Sequence, residues 1–267
     1  MNHYTSFFHN ILNSFMKKNI EVIKGKKIVI CWSGGKDSTV LLSLMATWSK
    51  KAGVPLTVLM VPYPNSIINN DGRTETLDYW ERKNINISVL QHDNCDPDNV
   101  PMHLACNKCK EIRRSVLINQ YFQQHELANI ILVTGHNAWD LAAYALELIT
   151  KKFNSDKNIY YERKLEVMNK FLPIYHHKNG PTFIRPLLSL SDKHFEKIIK
   201  QENIPFPFSY IPHKCPWLRQ RKRLLQKYFT HLNIEFSYDK LFKYTERIIE
   251  FPSIDEYAML PFETYIL

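Results

Sequence analysis

The chain has 267 residues, 45% apolar and 23% charged, a balance that supports a packed core and excludes a disordered tail or a collagen-like repeat. Its 35 Lys and Arg against 26 Asp and Glu leave a formal charge of +9, which points to a polyanionic partner such as nucleic acid or a phosphate-rich ligand. No run reaches the ~18 to 20 apolar residues of a membrane span, and no basic-then-apolar secretory signal opens the chain, so a cytoplasmic protein with no membrane partner is expected.

In chain order, Phe7, Phe8, Ile11, Leu12, Phe15 and Met16 recur at helical spacing over residues 4–19, and a short β-rich run follows over 27–32. A helix over 39–50 and a strand over 56–61 complete a βαβ unit. The alternation continues with a helix over 74–83, a strand over 85–90, a helix over 110–125, a strand over 129–134 and a helix over 139–153. Strands alternating with helices of this length predict an α/β fold with a doubly wound parallel sheet.

The pattern weakens in the polar stretch NSDKNIYYERK, after which a strand pair is expected near 171–175 and 182–185. Ser191 or Asp192 can cap a helix running to about 201. Prolines 205, 207, 212 and 216 mark an irregular connector, followed by helices over 217–230 and 239–250. The expected organisation is an N-terminal helical segment (1–25), a main domain (26–230) and a C-terminal helical extension (231–267) that docks either on the core or on a partner subunit, as in a homodimer.

The most informative string is Ser33-Gly34-Gly35-Lys36-Asp37-Ser38, between a strand and a helix. Glycine permits a tight turn and close backbone approach, the helix start offers unpaired N–H groups, and Lys36, Ser33 and Ser38 add donors. Together these make an anion cradle, although its spacing is not that of a Walker A loop. The bland alternative is a tight turn closing a βα junction. SGGKDS resembles the PP-loop of the ATP pyrophosphatase superfamily (adenine nucleotide alpha hydrolase-like), a Rossmann-like fold whose members cleave ATP to AMP and pyrophosphate. That resemblance implies that the loop holds the pyrophosphate of ATP, with Lys36 and Asp37 serving catalysis and Asp37 helping to hold Mg2+.

Thr134-Gly135-His136-Asn137-Ala138-Trp139-Asp140 is similar to the Gly-His segment that completes the nucleotide site in that superfamily. It implies nucleotide-binding roles for Gly135 and His136 and a catalytic role for Asp140. Trp139 stands where a first aspartate is usual, and Ala143 where a glutamate is common.

Cys106-Asn107-Lys108-Cys109 has chelating spacing, and a redox pair or unligated thiols are its alternatives. Taken with the PP-loop, the segment CNKCKEIRR, the string Ile184-Arg185-Pro186-Leu187 and the late Cys215 resemble the tRNA 2-thiolation enzymes, especially the 2-thiocytidine synthetase group. The resemblance implies that Cys106, Cys109 and Cys215 hold a 4Fe-4S cluster with one iron free of protein ligands; zinc bound with His103 or His213 is the alternative. Cys31 is expected in the core and Cys95 on the surface.

Between Asn203 and Ile234 there is no acidic residue, while Lys214, Arg219, Arg221, Lys222, Arg223 and Lys227 are basic. With Arg113 and Arg114 beside the CxxC, they suit an RNA loop whose bases stack on Trp217 or Tyr228. An ordinary solvated helix face is the alternative. The expected function is an ATP-dependent sulfurtransferase that adenylates and thiolates a pyrimidine C2 in tRNA, with sulfur from a donor protein or sulfide. The alternatives are a PP-loop enzyme with a non-tRNA acceptor and a non-catalytic nucleotide- or RNA-binding relative.

Overall fold

The computed structural model describes residues 3–63, 70–93, 102–190, 192–205, 225, 227, 228 and 237–266, with side chains described throughout except at 3–5, 70–72, 102–106, 192 and 193. The strands are β1 (Lys27–Cys31), β2 (Leu56–Met60), β3 (Ile87–Val89), β4 (Ile130–Val133), β5 (Ile174–His176) and β6 (Thr182–Ile184). They form one sheet in the order β3-β2-β1-β4-β6-β5. All neighbours pair in parallel except β5 and β6, where Tyr175 lies opposite Phe183 in an antiparallel pair. The doubly wound α/β sheet is thus as expected, with an antiparallel edge. Residues 177–181 are too few for a crossover, so the chain can only turn back on itself there.

The helices are α1 (His3–Lys18), a short α2 (Ile20–Ile23), α3 (Lys36–Ala52), α4 (Asn70–Arg82), α5 (Met102–Gln120), α6 (Ala138–Asn154), α7 (Lys157–Met168), α8 (Asp192–Glu202), α9 (Tyr238–Ile248) and α10 (Ile254–Tyr257). Side chains on β1 alternate between two cores. Ile28 and Ile30 join Phe8 and Leu12 of α1, Leu41 and Leu44 of α3, and Phe195 and Ile198 of α8. Val29 turns the other way, to Ile112 and Leu117 of α5, Leu141 and Leu148 of α6, and Leu165 of α7.

Two elements differ from expectation. The polar stretch after Phe153 contains α7, capped by Asp156, whose side chain accepts from the Asn158 N–H. Helix α5 starts at Met102 rather than at 110, so both residues of the CxxC lie inside a helix and not ahead of one. Nothing in MHLACNKCK breaks a helix, and the extra turns continue the periodic segment that follows.

Residues 254–266 dock on the second core: Tyr257 and Tyr265 pack on Tyr175, Tyr265 also on Phe183, and Phe262 on Phe122 and His177, with Ile266 buried in the same cluster. The contact with the β5–β6 turn is close, since a Cβ on Gly180 would stand 2.5 Å from the Phe262 Cβ. Among the described residues no helix is long and apolar enough to cross a membrane. The connector with its four prolines lies, apart from Pro205, outside the described residues, as does most of the expected helix over 217–230.

Candidate nucleotide and metal site

The carboxyl ends of β1, β4 and β6 meet at one edge of the sheet, where the Thr134 N–H donates to the Ile184 carbonyl at 3.0 Å. The phosphate loop leaves β1 at this edge, where ligands gather in open α/β sheets. Gly34 sits at φ +74°, a left-handed backbone that other residues rarely adopt. The Ser33 and Ser38 hydroxyls are 2.9 Å apart, Ser38 Oγ donates to the Gly35 carbonyl at 3.0 Å, and Trp32 Nε1 donates to Thr39 Oγ1 at 3.0 Å. These bonds hold the loop in shape.

Gly35 is the N-cap of α3 and provides no side-chain cap, so the first-turn N–H groups face the loop mouth with the positive end of the helix dipole. Lys36 and Asp37 occupy the first turn. Lys36 Nζ donates to Glu196 Oε1 on α8 at 3.4 Å. The start of α6 differs. Asn137 Oδ1 accepts from the Trp139 N–H at 2.9 Å, and Asp140 Oδ2 accepts from the Asn137 N–H at 3.0 Å, closing a capping box. Asp140 therefore has a defined structural task in addition to the catalytic one that the resemblance implied. Trp139 and Ala143 are both buried.

Gly135 lies against the Asp37–Ser38 peptide: a Cβ at this position would be 3.1 Å from the Asp37 carbonyl oxygen and 3.3 Å from the Ser38 nitrogen. His136 Nδ1 shares a hydrogen bond with Thr134 Oγ1 at 3.0 Å, and its ring centroid is 6.3 Å from that of Tyr144. The two strings singled out in the sequence thus form one wall.

A small cavity connects this wall to α5. It is lined by Cys31, Trp32 and Ser33 from the β1 side, Leu59 and Val61 from the β2 side, and Arg113 and Leu117 from α5. Arg113 is one helical turn beyond Cys109 and shares its face of the helix. Its guanidinium is held inward by the Tyr63 carbonyl, to which Nε donates at 2.7 Å and Nη2 also donates. Arg114 Nη2 donates to the Thr264 carbonyl at 3.3 Å. Both arginines therefore bond to the chain's own backbone. Cys31, expected in the core, borders the cavity half-buried, and burial pushes its thiol up to about 12.

Cys106 and Cys109 are three residues apart on α5, the spacing of neighbouring positions on a helix. Cys109 is half-buried against the second core. Two soft sulfur donors so arranged suit iron–sulfur or zinc chemistry. The Cys106 side chain and the whole of Cys215, His213, Trp217, Arg219, Arg221 and Arg223 lie outside the described residues, as do Cys95 and the His103 side chain. Among the described residues no three His, Cys, Asp or Glu side chains gather as a metal site. Lys227 and Tyr228 are described, and both are exposed.

Sequence reasoning missed a set of interior cations beside this site. Arg185, 1% exposed, donates to the carbonyls of Asn169 and Leu172, each at 3.0 Å, and to Asn169 Oδ1 at 2.8 Å. It holds the carboxyl end of α7 in place, and burial lowers its pKa to about 10. Lys170 is fully buried, with Nζ 5.1 Å above the Tyr144 ring and 3.4 Å from its hydroxyl. Burial, and then the charge of Lys110, push it well below the usual lysine range. Its neighbours in VMNKFLPI are mostly apolar, but apolar neighbours do not by themselves signal that a lysine among them is buried.

The sequence profile of the PP-loop domain family matches residues 5–207. The chain belongs to that family. The PP-loop domain is 26% identical over 187 residues to the tRNA-cytidine(32) 2-sulfurtransferase of Dichelobacter nodosus (strain VCS1703A), covering 69% of this chain and 64% of that protein. It is 29% identical over 187 residues to the enzyme of the same name from Marinobacter nauticus (strain ATCC 700491 / DSM 11845 / VT8), covering 68% and 56%. The match thus spans between half and two thirds of these relatives' length. Among solved structures, the U34-tRNA thiolase NcsA from Methanococcus maripaludis, determined with its 4Fe-4S cluster, superimposes with a TM-score of 0.62 over 94% of this chain and 80% of that one. Its identity is 20%, so the likeness is one of fold.

Proposed function

We propose that this PP-loop protein is an ATP-dependent tRNA sulfurtransferase that activates a pyrimidine C2 oxygen and replaces it with sulfur. The observation that carries the reading is the phosphate loop over residues 33–38, preformed by its own hydrogen bonds at the carboxyl end of β1 and backed by Gly135, in a chain of the PP-loop family. The names of the relatives, all sulfurtransferases or thiolases of tRNA, support the same substrate class.

In this reading the open N-terminus of α3, Lys36 and the two serines bind the β- and γ-phosphates of ATP, and Asp37 holds Mg2+. Gly135 lets the second wall close on the nucleotide, and His136 lines it. The base's C2 oxygen attacks the α-phosphorus and pyrophosphate leaves; sulfur then takes the place of the adenylated oxygen, and AMP departs. Lys36 and the α3 dipole offset the charge that develops on the leaving pyrophosphate. Cys106, Cys109 and Cys215 would hold a 4Fe-4S cluster, which when bound supplies a metal site for sulfur. The basic residues Arg219, Arg221 and Arg223 neutralise tRNA phosphates, and a donor protein or free sulfide provides the sulfur.

The test is anaerobic purification with measurement of iron, sulfide and zinc per chain, alongside AMP and pyrophosphate release with tRNA and sulfide. About four irons per chain, lost in both Cys106→Ala and Cys215→Ala, together with tRNA-dependent AMP formation, are expected. A Cys109→Ala variant that thiolates tRNA at the parent rate would overturn the scheme. The buried Trp139 and the capping role of Asp140 favour one second reading, a relative that binds nucleotide without turnover. AMP formation distinguishes the two.

A further inference from the structure

The phosphate-loop lysine is met from an unexpected side. Helix α8 is anchored at its far end, where the Ser43 hydroxyl on α3 donates to the Glu202 carboxylate and the Tyr79 hydroxyl on α4 donates to the Glu202 carbonyl at 3.3 Å. Phe195, Ile198 and Ile199 bury its inner face in the first core. Glu196 lies six residues before Glu202, about 9 Å along the helix at 1.5 Å per residue. That distance sets its carboxylate at the loop mouth, with Oε1 3.4 Å from Lys36 Nζ. The Lys36 side chain is 23% exposed and that of Glu196 is 64% exposed. A carboxylate therefore stands beside the amino end of α3, on the cation that a phosphate would use.

We propose that Glu196 is a built-in competitor for the phosphate loop, holding Lys36 while the loop is empty and giving way when a polyphosphate arrives. The inference rests on reading residues 33–38 as a phosphate-binding loop and adds a residue that sets its affinity. A single carboxylate on a rotatable, exposed side chain is a weak partner. Pyrophosphate carries several charges and can also use the N–H groups of α3, so it displaces the carboxylate. A singly or doubly charged anion such as sulfate or orthophosphate gains less and pays the same displacement. Glu196 thereby raises the affinity that any anion must bring to occupy the loop, a threshold that pyrophosphate-bearing ligands clear and weakly held anions do not.

Inorganic pyrophosphate and orthophosphate titrated by calorimetry into the full chain, at fixed magnesium, test this in wild type, Glu196→Gln, Lys36→Met and the double variant. Glu196→Gln is expected to tighten pyrophosphate about two- to five-fold, the range of an exposed ion pair, and orthophosphate by at least as much. In the Lys36→Met background the gain should vanish. A gain of equal size there would mean general charge repulsion and overturn the pairing. Weaker pyrophosphate binding in Glu196→Gln would make Glu196 a supporting group and overturn it as well.

Amine acylation of Lys36, read by mass spectrometry without ligand, separates the pairing from the nature of the loop. Faster labelling in Glu196→Gln reports the ion pair, whereas equal labelling refutes it. Wild-type protein that shows the pair but takes no pyrophosphate would defeat the phosphate-loop reading, and the competitor role with it.

Discussion

Gly135 faces the Asp37 carbonyl across a gap that one methyl group would close, with 3.1 Å from a Cβ to that oxygen. Because the facing atoms of Asp37 and Ser38 are backbone, no side-chain rotation relieves the contact. A Gly135→Ala variant should push the β4–α6 connection away from the loop. A roughly ten-fold loss of ATP affinity is expected, with a stability loss of about 1 to 2 kcal/mol, read by calorimetry and thermal unfolding. Unchanged ATP affinity would show that the two segments do not act as one wall.

Arg113 and Arg114 serve the chain's own backbone, whereas Arg221 and Arg223 belong to the acid-free basic segment. The two pairs should therefore separate in a salt titration of tRNA binding. Replacing Arg221 and Arg223 by Ala should flatten the slope of log affinity against log salt by about 1.5. Arg113→Ala should leave that slope unchanged and lower the unfolding midpoint instead, since the Tyr63 carbonyl loses its donor.

Cys31 lies on the cavity but is held as a thiol, because burial raises it to about 12. Thiolate is the species that reacts. At pH 8 iodoacetamide should leave Cys31 unmodified in the folded protein for far longer than a small-molecule thiol, and modify it readily after unfolding. Rapid native labelling would show a thiol activated by its surroundings.

Arg163 bridges two helices. Its Nε and Nη2 donate to the two oxygens of Glu147 at 2.9 and 3.0 Å, and Nη1 donates to Glu166. Burial pushes the Glu166 carboxyl up, but the Arg163 guanidinium outweighs this and holds it below its usual 4.5. A carboxyl depressed by folding adds stability at pH values above its unfolded pKa, and that stability is lost as pH falls through the folded value. Wild type should lose stability below about pH 4.5 more steeply than Glu166→Gln, and Arg163→Met should cost about 2 kcal/mol at pH 7. Denaturant unfolding across pH 3 to 7 reads both.

The strands were legible because buried parallel strands are short apolar runs, and IILV over β4 has all four residues buried. The phosphate loop was legible because two of only seven glycines fall together between a strand and a helix. Helix α7 was not, since its apolar residues mark no clear stripe and its stability comes from the Arg163 bridges and from packing against α6. The inward turn of Arg113 and Arg114 was equally hidden. Their acceptors are backbone carbonyls at Tyr63 and Thr264, 50 and 150 residues away, and a carbonyl leaves no mark in a sequence.

The docking of residues 254–266 bears on how the protein is made. Tyr257, Phe262 and Tyr265 fill a face built by strands and helices translated much earlier. During synthesis that face must wait, with Tyr175 and Phe183 uncovered, until residue 266 has cleared the ribosome exit tunnel. The nascent chain is then a target for chaperones over the last third of its translation, and a premature stop even a dozen codons before that point would yield an open, aggregation-prone sheet in place of a slightly shortened protein.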